Sequence, residues 1–174
     1  EDNQEGFNCW WAHSELEMKQ AFEDFIDWVF ERWSLDKDMH IYHYGQYEIT
    51  ALRTLMGHFG SREEKVDQLL RNEVFVDLIR VVKQSLCVGS KGYGLKEIEP
   101  LYREDRVGEV TSGLDSTVTY EVWSADKGDS RNHTDSELLK EIWDYNKDDC
   151  ISLIHLADFL REVQLNYGIN YNFR

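Results

Sequence analysis

Two long segments of this chain place apolar residues at the spacing of an amphipathic α-helix, and this periodicity limits the fold more than any other feature. Residues 138–160 carry one such pattern, and over residues 14–33 the apolar positions are Leu16, Ala21, Phe22, Phe25, Ile26, Val29 and Phe30. Ser14 followed by Glu17 is the capping-box pattern that begins a helix. Each segment is therefore predicted to form a long helix, or two in the case of residues 138–160, with one buried face.

Shorter apolar segments lie between the helical ones and predict strands. Residues 7–12, 39–43 and 74–76 are short, apolar or aromatic, and partly β-branched. Strands that alternate with longer helices are typical of an α/β domain. We therefore predict a mixed sheet flanked by helices, with few visible strands for a complete sheet.

Further helix starts are marked by polar residues with capping potential. Ser61 with Glu64 and Thr134 with Glu137 match the capping-box pattern, and Asp77 precedes an apolar run. The predicted helices cover residues 48–59, 61–71, 77–86 and 95–102. A polar connection is predicted over residues 104–114 and a charged turn over residues 125–133. Residues 116–123 fit either a strand or a helix. The tail, residues 166–174, fits an edge strand or a frayed end.

The length and composition favour one globular domain. The chain has 174 residues, of which 41% are hydrophobic, enough for a single core. No apolar run is long enough to cross a bilayer, so no membrane association is predicted. Cys9, Cys87 and Cys150 are widely spaced and odd in number, which is typical of neither a disulfide framework nor a zinc site and predicts a reducing, cytoplasmic setting. Cys150 is expected to be a small buried residue.

The formal net charge of −15 argues against a protein that coats nucleic acid through a basic face. It does not exclude an enzyme whose metal ions neutralise phosphate locally. Solubility and solvated helix faces explain much of this charge.

Tyr145 and Asp149 lie four residues apart in a predicted helix, so both side chains project from one face. A carboxylate can hold a divalent cation, and a neighbouring phenol can orient an attacking water in phosphodiester hydrolysis. The alternative is a solvated surface pair. A second segment strengthens the first interpretation: a predicted strand ends at His43, and Glu48 falls in the first turn of the next helix, where open α/β sheets place their sites.

The ordered motifs resemble a known family. They are His43-Tyr44-x-x-Tyr47-Glu48, then Val74-Phe75-Val76-Asp77-Leu78, then Tyr93-x-Leu95-Lys96 after a Ser/Gly loop, and finally Tyr145-Asn146-x-x-Asp149-Cys150. This order, from about residue 7 to 160, resembles the YprB-type ribonuclease H-like domain. That family belongs to the DEDD group of 3′–5′ exonucleases.

The resemblance implies roles for individual residues. Glu48 occupies the acidic position of the second DEDD motif, and Tyr145 with Asp149 match the Tyr-x-x-x-Asp third motif. Glu48 and Asp149 would hold Mg²⁺ or Mn²⁺, and Tyr145 would position water. Asp77 and His43 would be auxiliary residues, with a helix cap and a strand-end histidine as the alternatives. Lys91 and Lys96 would contact the DNA or RNA substrate, with a solvated loop as the alternative.

One departure from the pattern is the first motif, Asp-x-Glu on an initial strand, which should precede residue 7. Glu1-Asp2 is not a convincing substitute. The prediction is therefore a 3′–5′ exonuclease-like domain that lacks its first strand and is a fragment of a larger protein with RecB-like nuclease or helicase modules. In that family-based interpretation, Glu48 and Asp149 converge on one crevice. The alternative is a catalytically inactive module that binds nucleic acid or a protein partner in such an assembly.

Overall fold

The computed structural model describes residues 6–103, 113–125, 131, 133, 134 and 136–168. The chain divides into two compact units, Glu1–Gly89 and Ser90–Arg174. Residues 104–112 of the predicted connection, most of the charged turn at 125–133 and the end of the tail lie outside the described residues, whereas positions 113 and 114 of that connection are helical.

Among the described residues, the first unit contains two strands and four helices. In chain order these are α1 (Glu15–Leu35), β1 (Ile41–His43), α2 (Tyr47–Phe59), α3 (Glu63–Arg71), β2 (Phe75–Asp77) and α4 (Leu78–Ser85). β1 and β2 pair in parallel, with Ile41 opposite Phe75 and His43 opposite Asp77. This helix-rich arrangement around a small parallel sheet is consistent with a ribonuclease H-like α/β fold. The antiparallel strand that a mixed sheet requires is not among the described residues, and the missing first strand stays a prediction.

The core of the first unit forms where α1 meets α2, α3 and β2. Ser14 accepts a hydrogen bond from the Glu17 amide as predicted, but Leu16, which belongs to the predicted apolar face of α1, is exposed. Farther along the same face Phe22, Ile26 and Val29 are buried, which confirms this part of the prediction. Their partners across the core include Leu52, Val66, Leu69 and Val74. Burying apolar side chains of this size is the main source of stability for the unit.

Residues 7–12 do not form the predicted strand. Trp10 instead packs edge-on against Phe25, with ring centroids 5.5 Å apart, and tilts against Trp28 at 5.7 Å. The aromatic pattern that suggested a strand is satisfied by contact with the surface of α1, so side-chain packing overrides β propensity here.

α3 begins differently from the capping-box prediction. Arg62 is the residue before the helix, in a left-handed conformation with φ of 58°, and it makes no side-chain cap. The Ser61 hydroxyl donates to the carboxylate of Glu23 on α1 instead. The Arg62 guanidinium forms a two-pronged contact with Asp27, at 2.8 Å for each pair of atoms, and Lys65 Nζ lies 2.7 Å from Asp27 Oδ1. The start of α3 is thus fixed by ion pairs to α1.

The second unit consists of helices in the described residues: α5 (Leu95–Ile98) with a 3₁₀ turn (Glu99–Leu101), α6 (Gly113–Ala125) and α7 (Glu137–Asn166). The segment with two possible interpretations, residues 116–123, is helical. α7 is one continuous helix, and its cap is Ser136, which accepts from the Leu139 amide at 3.4 Å. The predicted Thr134 cap is therefore wrong, because the Ser136 hydroxyl, two residues closer to the helix, caps α7 instead. Cys150 is exposed on α7, contrary to prediction.

None of the described helices combines the length and apolar character that a bilayer crossing requires.

Replacing Asp27 with Asn should lower the free energy of unfolding at pH 7 by about 1 kcal/mol, because Arg62 and Lys65 lose their shared anion. The Arg62 hydrogen bond lowers the pKa of Asp27, partly opposed by burial and reinforced by Lys65. The stabilisation is therefore present above the ordinary carboxyl pKa and is lost as pH falls through the lowered pKa of the folded state. Urea unfolding over a series of pH values measures it. Glu31→Gln on the same helix, an exposed acid outside this ion pair, should change little; equal losses in both variants would contradict the ion-pair account.

Candidate active site

The carboxyl ends of the two parallel strands form one edge, because His43 and Asp77 are register partners at the last position of each strand. The chain leaves β1 through Tyr44, Gly45 and Gln46 and enters α2 at Tyr47. Gly45 has a φ of 92°, a conformation that side chains rarely adopt, so a glycine suits this corner. The corner brings the first turn of α2 back to the strand ends, as in sites of open α/β sheets.

Asp77 connects this corner to β2. Its Oδ1 accepts from the Gly45 amide at 2.9 Å and from the Ile79 amide at 3.2 Å, and Oδ2 accepts from Gln46 Nε2 at 3.3 Å. The predicted helix-capping role of Asp77 at α4 is confirmed by the Ile79 contact. An auxiliary role toward a metal stays a prediction.

His43 and Glu48 lie together beside this contact. The buried His43 ring donates from Nδ1 to the Gly45 carbonyl at 2.8 Å, and the same nitrogen is 3.7 Å from Glu48 Oε2. Burial lowers the pKa of His43, but the Glu48 carboxylate, the Gly45 carbonyl and the charge of Asp77 outweigh it, so the net shift is upward. Glu48 itself is about half exposed, with 46% of its side chain accessible. The strand-end interpretation of His43 is confirmed, and Glu48 presents a carboxylate to solvent at this edge.

The second unit brings together Lys96 and Tyr145, two other residues of the predicted site. Tyr145 and Asp149 are one turn apart on α7, and Lys96 Nζ on α5 lies 4.7 Å from the centroid of the Tyr145 ring. Lys91 is exposed in the loop before α5. The contact between Lys96 and Tyr145 joins the third motif to the Ser/Gly-loop motif.

A buried polar network next to these residues was not predicted from the sequence. Ser152 Oγ donates to Glu99 Oε1 at 2.5 Å, and because that proton is used, the Tyr102 hydroxyl donates to Ser152 Oγ at 2.9 Å. Arg103 Nη2 donates to Asp148 Oδ1 at 2.8 Å. One signal was visible: Glu99 is an acid between Ile98 and Pro100-Leu101, and an acid in an apolar turn needs buried partners.

The predicted residues thus form two groups: Glu48, His43 and Asp77 in the first unit, and Lys96, Tyr145 and Asp149 in the second. Convergence of Glu48 and Asp149 on one crevice stays a prediction. Among the described residues, no three His, Cys, Asp or Glu side chains are arranged as a metal-binding group. Two carboxylates are suitable donors for Mg²⁺ or Mn²⁺ but too few for a two-metal centre, so the described donors alone do not fit such a centre.

The fold and these motifs define a protein of the RNase H superfamily. A family model of that superfamily, RNase_H_2, matches residues 1–161. Because the match covers most of the chain, the chain belongs to the RNase_H_2 family, as its motifs predicted. Searches of the curated proteins and of the solved structures gave no match. Membership of this superfamily indicates a nuclease-type function and nucleic acid as the bound partner, and such nucleases generally use divalent metal ions.

The contact between Glu48 and His43 gives a direct test of the corner. Glu48→Gln should lower the pKa of His43, because the variant loses the carboxylate that favours the charged ring. Histidine signals in an NMR pH titration measure this. The stabilisation by Glu48 should be full below the ordinary histidine pKa and disappear as pH rises through the raised pKa of folded His43.

Glu63→Gln serves as the control for this titration, since Glu63 is an exposed first-turn acid on α3. It should leave the His43 titration unchanged. A His43 pKa that is the same in the Glu48→Gln variant and the native protein would mean that Glu48 does not point toward the strand edge.

Proposed function

We propose that this chain is a nuclease domain of the DEDD 3′–5′ exonuclease type, acting on DNA or RNA. The position of Glu48 carries the proposal. It lies in the first turn of α2, beside the carboxyl ends of two parallel strands, where the second DEDD motif would put its acid. A half-exposed carboxylate held there by a corner that Asp77 organises is suited to binding a cation rather than to packing.

The other residues of the proposed site would have the roles that the motifs predict. Asp149 would be the second acid, and Tyr145, one turn away, would orient the attacking water through its phenol. Lys91 and Lys96 would meet the negative charge of the phosphodiester backbone. His43, buried behind Glu48, would orient that carboxylate instead of reacting with the substrate.

The proposal requires more acidic ligands than Glu48 and Asp149. Bound Mg²⁺ or Mn²⁺ would supply charge neutralisation and water activation in enzymes of this type. The DEDD pattern provides its other two acids from an Asp-x-Glu strand, and we propose the same source here. A larger protein with RecB-like nuclease or helicase modules would be consistent with this requirement, and the three dispersed cysteines favour a cytoplasmic setting.

A second candidate function is a catalytically inactive ribonuclease H-like module that binds nucleic acid or a protein partner. One observation favours it: the described residues contain no group of three metal-binding side chains. Binding without hydrolysis would need the fold and the lysines but not a complete set of acids.

Hydrolysis of 5′-labelled single-stranded DNA and RNA with Mg²⁺ or Mn²⁺ separates the two functions. We expect little or no hydrolysis by the 174-residue chain alone. Stepwise loss of 3′ nucleotides should appear when the residues encoded upstream are included and supply Asp-x-Glu. Asp149→Asn should then reduce the rate about a hundredfold or more, because a charge at the reacting phosphate is lost.

Asp144→Asn is the matched control for this assay, because Asp144 is an exposed acid on the same helix. It should leave the rate close to that of the native protein. Binding of the oligonucleotide without hydrolysis in the longer protein would favour the inactive module. Hydrolysis that is insensitive to both Glu48→Gln and Asp149→Asn would overturn the proposed site.

A further inference from the structure

We propose that Lys96 is a positioning residue for Tyr145, and that the docking of α5 on α7 sets this pair. The inference rests on the proposed function, because Tyr145 is the residue proposed to orient water. The observation that supports the inference is that the Lys96 ammonium lies 4.7 Å from the centroid of the Tyr145 ring. A cation over an aromatic face is attracted by the negative charge density of the ring. The contact therefore restricts how the ring can tilt.

A lysine on a surface is normally mobile, so the pair depends on what holds α5 in place. The buried Glu99 and Ser152 provide this, with a 2.5 Å hydrogen bond between the 3₁₀ turn and α7 and a second bond from Tyr102. Breaking this bond would remove one hydrogen bond from a buried carboxylate, which is costly. The 3₁₀ turn follows directly on α5, so this bond also fixes the distance from Lys96 to α7.

A second contact fixes the same helix beside Asp149. Arg103 is mostly buried and bonds the Asp148 carboxylate at 2.8 Å, and its Nη1 lies 3.8 Å from Glu99 Oε1. The Asp148 ion pair lies on the helical turn between Tyr145 and Ser152. The segment from Glu99 to Arg103 is thus attached to α7 at two points.

The loop before α5 is fixed from its other end. The Glu97 carboxylate turns back and accepts from the Gly94 amide at 2.8 Å. A Cβ atom at Gly92 would lie 2.5 Å from Glu97 Oε2, so a side chain there would displace the Glu97 carboxylate from its present position. With both ends of α5 fixed, Lys96 extends from a defined point toward Tyr145.

The pair has a chemical consequence for the proposed reaction. An ammonium group has three donors, and contact with a ring face leaves N–H groups to meet a phosphate oxygen. Lys96 would therefore hold the phenol in one orientation and place positive charge next to it. The phenol would then be pre-arranged for a water molecule, and this contribution acts on the rate more than on substrate affinity.

The test compares Lys96→Met, which keeps an unbranched side chain but loses the charge, with Lys96→Arg, which keeps a cation. The Tyr145 ring signals in NMR spectra of ¹³C-labelled tyrosine should shift and broaden in Lys96→Met and return toward native values in Lys96→Arg. In the form of the protein that hydrolyses nucleic acid, Lys96→Met should lower kcat roughly tenfold, whereas loss of a phosphate contact alone would raise KM and leave kcat unchanged.

Lys147→Met is the matched control, because Lys147 makes a similar contact with the Trp143 ring, 4.8 Å from its centroid. It should leave the Tyr145 signals and kcat unchanged. Unaltered Tyr145 signals in Lys96→Met, or failure of Lys96→Arg to restore them, would overturn the positioning role. If the NMR shifts appear as expected but no form of the protein hydrolyses nucleic acid, the Lys96–Tyr145 pairing is supported. Only the proposed nuclease function is then contradicted.

Discussion

The Asp77 carboxylate is the constraint on which the strand-edge site depends. Its two oxygens accept from the Gly45 amide, the Gln46 side chain and the Ile79 amide, so one residue joins the end of β2, the start of α4 and the corner before α2. Without it, a backbone donor at the corner and one at the start of α4 would lose their partner. The direction in which α2 leaves the sheet, and with it the position of Glu48, follows from this carboxylate.

The second unit uses an acid in the same way. Glu99 is 6% exposed and holds the 3₁₀ turn to α7 through Ser152, while Lys96 and Tyr145 meet close to this contact. In both units a hydrogen-bonded carboxylate supports an element that carries residues proposed for chemistry. Such supporting hydrogen bonds fix reactive groups more precisely than a flexible surface would.

Patterns that depend on local chemistry could be predicted from the sequence. The buried face of α1, the Asp77 cap and the helical position of Glu48 each follow from spacing or from a single side chain near its backbone partner. The motif order was enough to predict the family.

Features that depend on tertiary partners could not be predicted. Trp10 lies in a segment with the composition of a strand but packs on α1, and Ser61 matches a capping pattern but bonds Glu23 on α1. The hydrogen bond between Glu99 and Ser152 joins residues 53 positions apart, and no local pattern specifies such a distance. Sequence spacing predicts the contacts that a residue can make within its own segment, whereas these residues contact other segments of the chain.

The central proposal, which rests on the motifs alone, is that Glu48 and Asp149 serve one metal-dependent site. A titration with Mn²⁺ of the longer protein that supplies Asp-x-Glu, followed by paramagnetic broadening of backbone amide signals, tests it most directly. Small amounts of Mn²⁺ should broaden the signals of Glu48 and Asp149 together, and Glu48→Gln should weaken the broadening at both. Broadening at only one of the two residues, or mainly at acids elsewhere on the surface, would contradict a shared site.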